Sequence, residues 1–153
     1  MICGVHAFIG AALGKLLKSK KPAFLAGVVT HFFADLLPHR DLSIETEVAL
    51  VSGALAAIGT SQGWNSPAFW GAVGGVIPDV ENLISQTRGG RNLFPSHTGL
   101  HGPKVTELVS QAAIVLLCLA VLSGNGSEGP ESRAWKPFCN LDRDYRDSSL
   151  RLP

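Results

Sequence analysis

Residues 24–39 read FLAGVVTHFFADLLPH, a run of apolar residues that contains a histidine and an acid and closes with a proline and a histidine. The run predicts a helix from about Pro22 to Leu37, with Pro22 in its first turn and Pro38 stopping it. This helix is the starting point for predicting both the fold and the candidate site.

Two polar residues lie inside the predicted helix, and a third follows it. His31 and Asp35 are four residues apart, which places their side chains on one helix face within reach of one ion. His39, about two turns after His31, is expected to continue the same stripe. Imidazole and carboxylate together suit zinc, with manganese or iron as alternatives.

Each of these polar residues also has an ordinary structural interpretation. His31 can be a core histidine bonded to a neighbouring carbonyl, and His39 a cation-favoured residue after the helix. Asp35 can be a surface acid at the helix end. An acid near a helix C-terminus opposes the helix dipole, however, so its placement favours a nearby cation.

Four further apolar segments predict helices. In chain order they read GVHAFIGAALGKLL, VALVSGALAAIG, AFWGAVGGVIPDVENLI and LVSQAAIVLLCLAVLSG. The sequence therefore predicts an all-α fold, an antiparallel bundle of about five apolar helices in residues 1–123. Residues 124–153 are dense in charged and turn-forming residues, which predicts a disordered or loosely docked tail.

Local signals predict where several helices begin and end. Ser43 is expected to cap the third helix, which should run to about Ile58. Pro78 is expected to bend or end the fourth helix. Residues 86–103 are rich in glycine and proline and too long for a simple connection, which predicts a functional loop.

Alternation of helix direction brings the histidines and nearby acids to one end of the bundle. His6 opens the first helix, Asp79 lies late in the fourth, and His97 and His101 precede the fifth. The candidate metal ligands are therefore His6, His31, Asp35, Asp79, His97 and His101. The alternative for Asp79 is a turn aspartate after the proline, and for His97 and His101 it is a pair of solvent-exposed loop histidines.

The composition leaves a choice between a strongly apolar soluble bundle and a membrane protein. Hydrophobic residues make up 46% of the chain, charged residues only 16%, and the mean hydropathy is +0.23. About 20 apolar residues are needed to cross a bilayer, and only the fifth segment, free of charge from Leu108 through Ser127, clearly meets this requirement. Four lysines near the end of the first helix and in the turn after it favour a cytoplasmic location for that turn. They are Lys15, Lys18, Lys20 and Lys21. The basic residues Arg40, Arg88, Arg91 and Lys104 at the opposite end of the bundle weaken this prediction.

Charge and cysteine usage exclude other classes. A net charge of +1 provides no field for nucleic acid, and no basic stripe with interleaved aromatics is present. Three widely separated cysteines, Cys3, Cys118 and Cys139, lack CxxC spacing and predict neither a disulfide framework nor a thiolate zinc site.

Three blocks of the chain resemble a family of predicted membrane-bound metal-dependent hydrolases of bacterial inner membranes. They are GVHAFIGAALG at 4–14, GGVIPDVEN at 74–82 and FPSHTGLHG at 94–102. The resemblance covers roughly residues 2–123 and implies a bacterial inner-membrane location. It also implies metal-site roles for His6, Asp79, His97 and His101.

A second, local resemblance concerns residues 30–39, THFFADLLPH. The step from His31 through Asp35 to His39 is similar to one in zinc-dependent phospholipases C and single-strand-specific zinc nucleases. Those enzymes are helical and place several zinc ions among histidine and aspartate ligands. The likeness implies a chemical model for the site, namely zinc-assisted cleavage of a phosphoester.

Together these features predict a membrane-associated metal-dependent hydrolase, acting on phosphoester bonds, with a divalent metal as cofactor. His39, Asp41 and Glu81 are the candidates for proton transfer. The expected partners are membrane lipid and a small-molecule or lipid substrate. The main alternative is a non-catalytic membrane protein for metal binding, transport or assembly that uses the same ligands, and a structural bundle without metal is a third. The sequence leaves the oligomeric state open.

Overall fold

The computed structural model describes residues 1–89, 91, 93–94, 103 and 108–124. Within these residues the regular elements are five α-helices and no strand, which confirms the all-α prediction. The helices are α1 (Cys3–Leu17), α2 (Lys20–Asp35), α3 (Ile44–Gln62), α4 (Pro67–Arg88) and α5 (Val109–Ser123). His97, His101, Cys139 and most of the predicted tail lie outside the described residues.

Two of the helix starts follow from their sequence. The Ser43 hydroxyl accepts a hydrogen bond from the Thr46 backbone N–H at 3.4 Å, so the predicted cap of α3 is confirmed. At the start of α4, the Ser66 hydroxyl accepts from the Phe69 N–H at 3.1 Å, and Pro67 occupies the first helical position.

Three helix boundaries differ from the sequence prediction. Helix α2 ends at Asp35, so His39 lies in an irregular segment and does not continue the helical stripe. Helix α3 continues to Gln62, four residues beyond the predicted end, and the hydroxyls of residues 60 and 61 bond back to carbonyls of their own helix. Helix α4 continues through Pro78 to Arg88, so the proline does not end it.

Contacts between helices show that their directions alternate along the chain. His6 of α1 lies against Asp35 of α2, while a side chain added to Gly14 at the other end of α1 would meet Pro67 at the start of α4. Ile2 and Lys15 bond to the beginning and end of α5, respectively, and Cys3 at the start of α1 bonds to Glu47 near the start of α3. The first, third and fifth helices therefore run one way and the second and fourth the other.

Helix α4 packs closely against both α1 and α2 through glycines. A Cβ added to Gly10 would overlap the backbone carbonyl of Gly71, and a Cβ added to Gly27 would overlap the same carbonyl. A Cβ added to Gly74 would overlap the carbonyl of Phe24. This close approach of backbones places the second half of α4 beside the ends of α1 and α2 where the candidate ligands lie.

The core is built mainly from small residues, while many large apolar side chains face outward. Ala7, Ala11 and Ala72 are fully buried beside Ile58 and Val76. Exposed large apolar side chains include Leu25, Val29, Phe33, Leu50, Val80, Ile84, Leu116 and Leu117. Among the described residues no helix has both the length and the apolar character needed to cross a membrane.

Candidate metal centre

Four polar residues from three helices meet at one end of the bundle. His6 Nε2 lies 3.1 Å from Asp35 Oδ1, and His31 Nε2 lies 3.2 Å from Asp35 Oδ2 and 3.8 Å from Asp79 Oδ1. The rings of His6 and His31 are stacked at a tilt, with centroids 4.0 Å apart. The structure therefore brings together four of the six residues that the sequence predicts as ligands.

His31 is held in one orientation by the backbone of α4. Its Nδ1 donates a hydrogen bond to the carbonyl oxygen of Gly75 at 2.8 Å, which directs Nε2 toward Asp35 and Asp79. Histidines that bind metals commonly donate their second N–H to a carbonyl in this way. Burial lowers the pKa of His31, but the hydrogen bond to Asp35 and the charges of both acids outweigh it and raise the pKa overall.

His6 is fully buried and neutral. Burial outweighs the attraction of Asp35 and lowers the pKa of His6 to about 3. Its Nδ1 has no hydrogen-bond partner among the described residues, and the approach of Nε2 to Asp35 lacks hydrogen-bond orientation. A neutral, buried imidazole without good hydrogen bonds has the protonation state and the unused lone pair that a metal ligand needs.

The two carboxylates differ in their surroundings. Burial alone would raise the pKa of Asp35, but His31, His6 and the Met1 amino group, 3.0 Å from Oδ1, hold it well below its usual range. Burial raises the pKa of Asp79 to about 6, against the opposing charge of His31. The Cys3 thiol donates to Asp79, and its own pKa is raised by burial and by that carboxylate.

The spacing of these groups fits an ion. A zinc ion bound at about 2.0 to 2.2 Å holds its ligand atoms about 3 to 4 Å apart. The ligand atoms of His6, His31 and Asp79 all lie within 4.8 Å of one another, and Asp35 approaches both imidazoles at 3.1 and 3.2 Å. A metal ion could be held by the metal group, which consists of His6, His31 and Asp79.

A second pair of an imidazole and an acid lies beside this group. His39 is completely buried, with Nε2 3.2 Å from Asp41 Oδ1 and with Nδ1 donating to the Leu37 carbonyl at 2.7 Å. The Met1 amino group lies between the two sites, 3.0 Å from Asp35 and 3.4 Å from Asp41. The Met1 amino group therefore links the pair of His39 and Asp41 to the cluster of His6, His31, Asp35 and Asp79.

Glu81, the third residue predicted for proton transfer, forms hydrogen bonds with Ser85 and Leu93. Its Oε1 accepts hydrogen bonds from the Ser85 hydroxyl at 2.8 Å and from the Leu93 N–H at 3.1 Å. The bond from Leu93 joins α4 to the segment that follows it, whereas the bond from Ser85 lies within the helix. His97 and His101 lie outside the described residues, so their part in the site remains a prediction.

Sequence reasoning missed two residues that hold this end of the bundle together. Glu47 accepts from the Cys3 N–H at 2.7 Å and from the Leu42 N–H at 3.0 Å. Gln111 accepts from the Ile2 N–H at 3.0 Å and donates to the Arg40 carbonyl at 3.1 Å. The signal for Gln111 was available, because it is the one amide in an apolar helix, and buried amides require partners.

An open cavity of about 420 Å³ adjoins the four-residue cluster. Asp79, Cys3 and Asp41 contribute to its wall, so the cavity reaches both the metal group and the second imidazole–acid pair.

Comparison of the chain with protein-family models, with curated proteins and with solved structures finds no significant match.

Proposed function

We propose that this protein is a membrane-associated hydrolase that uses a divalent metal, zinc by preference, to cleave phosphoester bonds. One observation carries the proposal. Two buried imidazoles and two carboxylates converge at 3.1 to 3.8 Å beside a cavity that a substrate could enter. Manganese and iron are the alternative metals for ligands of this kind.

The ligands determine which chemistry the site can perform. A metal bound by imidazole and carboxylate lowers the pKa of a bound water to near neutrality and polarises a phosphoryl oxygen. Asp79 is the ligand that faces the cavity, so a substrate would approach from its side. Asp41 also lines the cavity and contacts His39, which makes this pair our first choice for proton transfer.

The membrane part of the proposal rests on the outer surface. Large apolar side chains are exposed on all five helices, and Leu25, Phe33 and Leu117 each expose 60% or more of their surface. Apolar exposure on this scale is unusual for a soluble monomer and is typical of surfaces that meet lipid or another protein. The resemblance to predicted inner-membrane hydrolases agrees with a lipid-facing surface.

A non-catalytic metal-binding protein is the competing function, because the same four ligands could close around an ion. The cavity beside Asp79 favours an enzyme, since an open side of the metal group leaves room for water and substrate. A protein for storage or transfer of metal would have no use for an acid on the cavity wall, Asp41, that is paired with an imidazole. We therefore place hydrolysis first.

Hydrolysis of bis(p-nitrophenyl) phosphate by the purified protein tests the proposal. We expect activity that is lost with a chelator and restored by zinc or manganese. Outer-sphere partners of a metal typically contribute about 10- to 100-fold, so His31→Ala should lower the rate by at least that factor. Thr30→Ala is the matched control, because within the described part of the chain the Thr30 hydroxyl bonds only to carbonyls of its own helix. Chelator-insensitive activity, or equal rates for the two variants, would refute the proposal.

A further inference from the structure

The cavity beside the metal group lies between two facing apolar stripes. Ile44, Val48 and Val51 lie on one face of α3, at helical spacings of four and three residues. Val76, Val80 and Leu83 have the same spacing on α4 and line the opposite wall. These side chains do not fill the space between the helices at this end of the bundle.

The same two helices pack directly at their other end. Ala54 and Ile58 of α3 are buried in one cluster with Ala68 and Ala72 of α4, next to the turn that joins the helices. The cavity therefore has a closed apolar end toward that turn. The cavity is open toward the end of the bundle that carries the metal group, where Val48 and Val80 are each 46% exposed.

One end of the cavity is polar and coincides with the metal group. Asp79 lies between Val76 and Val80 in the sequence of the lining helix, and its Oδ1 is 3.8 Å from His31 Nε2. Asp41 and Glu47 add further acids to the wall. The described residues that line the cavity include no lysine or arginine.

This lining discriminates between classes of substrate. A nucleotide or a sugar phosphate carries several negative charges and would need cationic side chains, which are the usual ligands of such groups. The acids of the wall would instead repel it. A volume of about 420 Å³ is in the range of small-ligand pockets, about 300 to 1,000 Å³. That volume suits a single apolar chain better than two.

We propose that the cavity between α3 and α4 binds one acyl chain of an amphiphilic phospholipid, with the single phosphodiester of that lipid directed toward the metal group at Asp79. The proposal names the substrate class of the hydrolase proposed above and rests on it for the reaction. Binding of the chain, by contrast, depends only on the apolar stripes. It can therefore be tested separately from catalysis.

Photo-crosslinking can locate the chain. The probe is a lysophosphatidylcholine that carries a diazirine in its acyl chain, added to the detergent-purified full chain, with the adducts mapped by mass spectrometry. We expect adducts to concentrate on residues 44–51 and 76–83. Val48→Trp places a large ring in the cavity and should lower labelling there by at least about tenfold. Val29→Trp, at a similarly exposed apolar position on α2, is the matched control and should label as the wild type does.

The outcomes separate this inference from the proposed function. Labelling spread evenly over exposed apolar faces, with equal yields from Val48→Trp and Val29→Trp, would overturn the inference even if the protein hydrolyses a soluble phosphodiester. Labelling confined to the cavity in a protein that hydrolyses nothing would support the chain site and refute the hydrolase. Circular dichroism of Val48→Trp checks that it folds, and Val80→Trp gives the same test from the opposite wall if it does not.

Discussion

At the scale of single residues, the site combines one neutral and one readily protonated imidazole. His6 is neutral because burial lowers its pKa to about 3, whereas the acids around His31 raise the pKa of that ring. Asp79, with a pKa of about 6, is the carboxyl group most easily protonated. Protons would therefore compete with a metal ion for His31 and Asp79, while His6 is available across the physiological range.

The affinity for metal should fall as the pH is lowered. Metal binds the unprotonated ligands, and the raised pKa values of His31 and Asp79 extend their protonated forms to higher pH. Below each pKa the affinity should drop by up to about tenfold per pH unit for each proton displaced. Zinc titrations between pH 5 and 8 measure this. In Asp79→Asn the zinc affinity should lose the additional pH dependence that protonation of Asp79 causes near pH 6. A wild-type zinc affinity that is independent of pH would contradict the assignment of these ligands.

Proton transfer should depend on Asp41 more than on Glu81. Asp41 contacts His39 and lines the cavity, whereas Glu81 is bonded to Ser85 and Leu93. A group that transfers a proton in the reaction typically contributes about 10² to 10⁴ in rate. We expect Asp41→Asn to lower kcat by a factor in this range with unchanged metal content, and Glu81→Gln to have a much smaller effect. The reverse order would assign the role to Glu81.

At the scale of helices, close packing of glycine backbones positions the ligands. Gly10 and Gly71 contact each other so closely that a Cβ on either would overlap the carbonyl of the other. This contact fixes the distance between α1, which carries His6, and α4, which carries Asp79. The geometry of the metal group therefore depends on residues with no polar side chain.

Two glycine-to-alanine substitutions should have opposite effects on stability. Gly10→Ala forces α1 away from α4 and should cost about 1 to 3 kcal/mol, as overpacking typically does. Gly53→Ala, at a position in α3 with no atom near the added Cβ, should stabilise by about 0.5 to 1 kcal/mol through the reduced flexibility of the unfolded chain. Thermal unfolding followed by circular dichroism measures both. Equal melting temperatures would contradict the close-packing account.

The sequence predicts the helices, and the end of the bundle at which each candidate ligand lies, better than it predicts contacts between individual residues. Helix periodicity and alternation of direction were sufficient to place His6, His31, Asp35 and Asp79 at one end. The end of α2 at Asp35 was not predicted, because the apolar LL that follows is compatible with a helix. The sequence also could not show that Glu47 bonds to Cys3 and Leu42, since this depends on how α1 meets α3.

At the scale of the whole molecule, the surface and the core have an unusual division of residues. The core consists largely of alanine and glycine, and large aliphatic and aromatic side chains such as Leu25 and Phe33 are exposed. In water this arrangement would leave much of the available hydrophobic free energy unused. Contact of these outer faces with lipid would recover it.

The protein should therefore be recovered with membranes. After cell lysis we expect it in the membrane pellet, resistant to alkaline carbonate and released by detergent, because apolar rather than ionic contacts hold it there. Replacing Leu25, Val29 and Phe33 together by serine removes part of that surface without touching the core, and should increase the fraction released by carbonate. A folded wild-type protein in the supernatant without detergent would contradict the membrane part of the account.

The metal content of the purified protein tests the central claim most directly. Elemental analysis of the wild type after purification with metal supplied should find about one divalent ion or more per chain, and extensive chelation should remove it. His31→Ala should lower the content sharply, while Thr30→Ala should retain it. Wild-type protein that holds well under half an ion per chain, or a His31→Ala variant that holds as much as the wild type, would contradict the account.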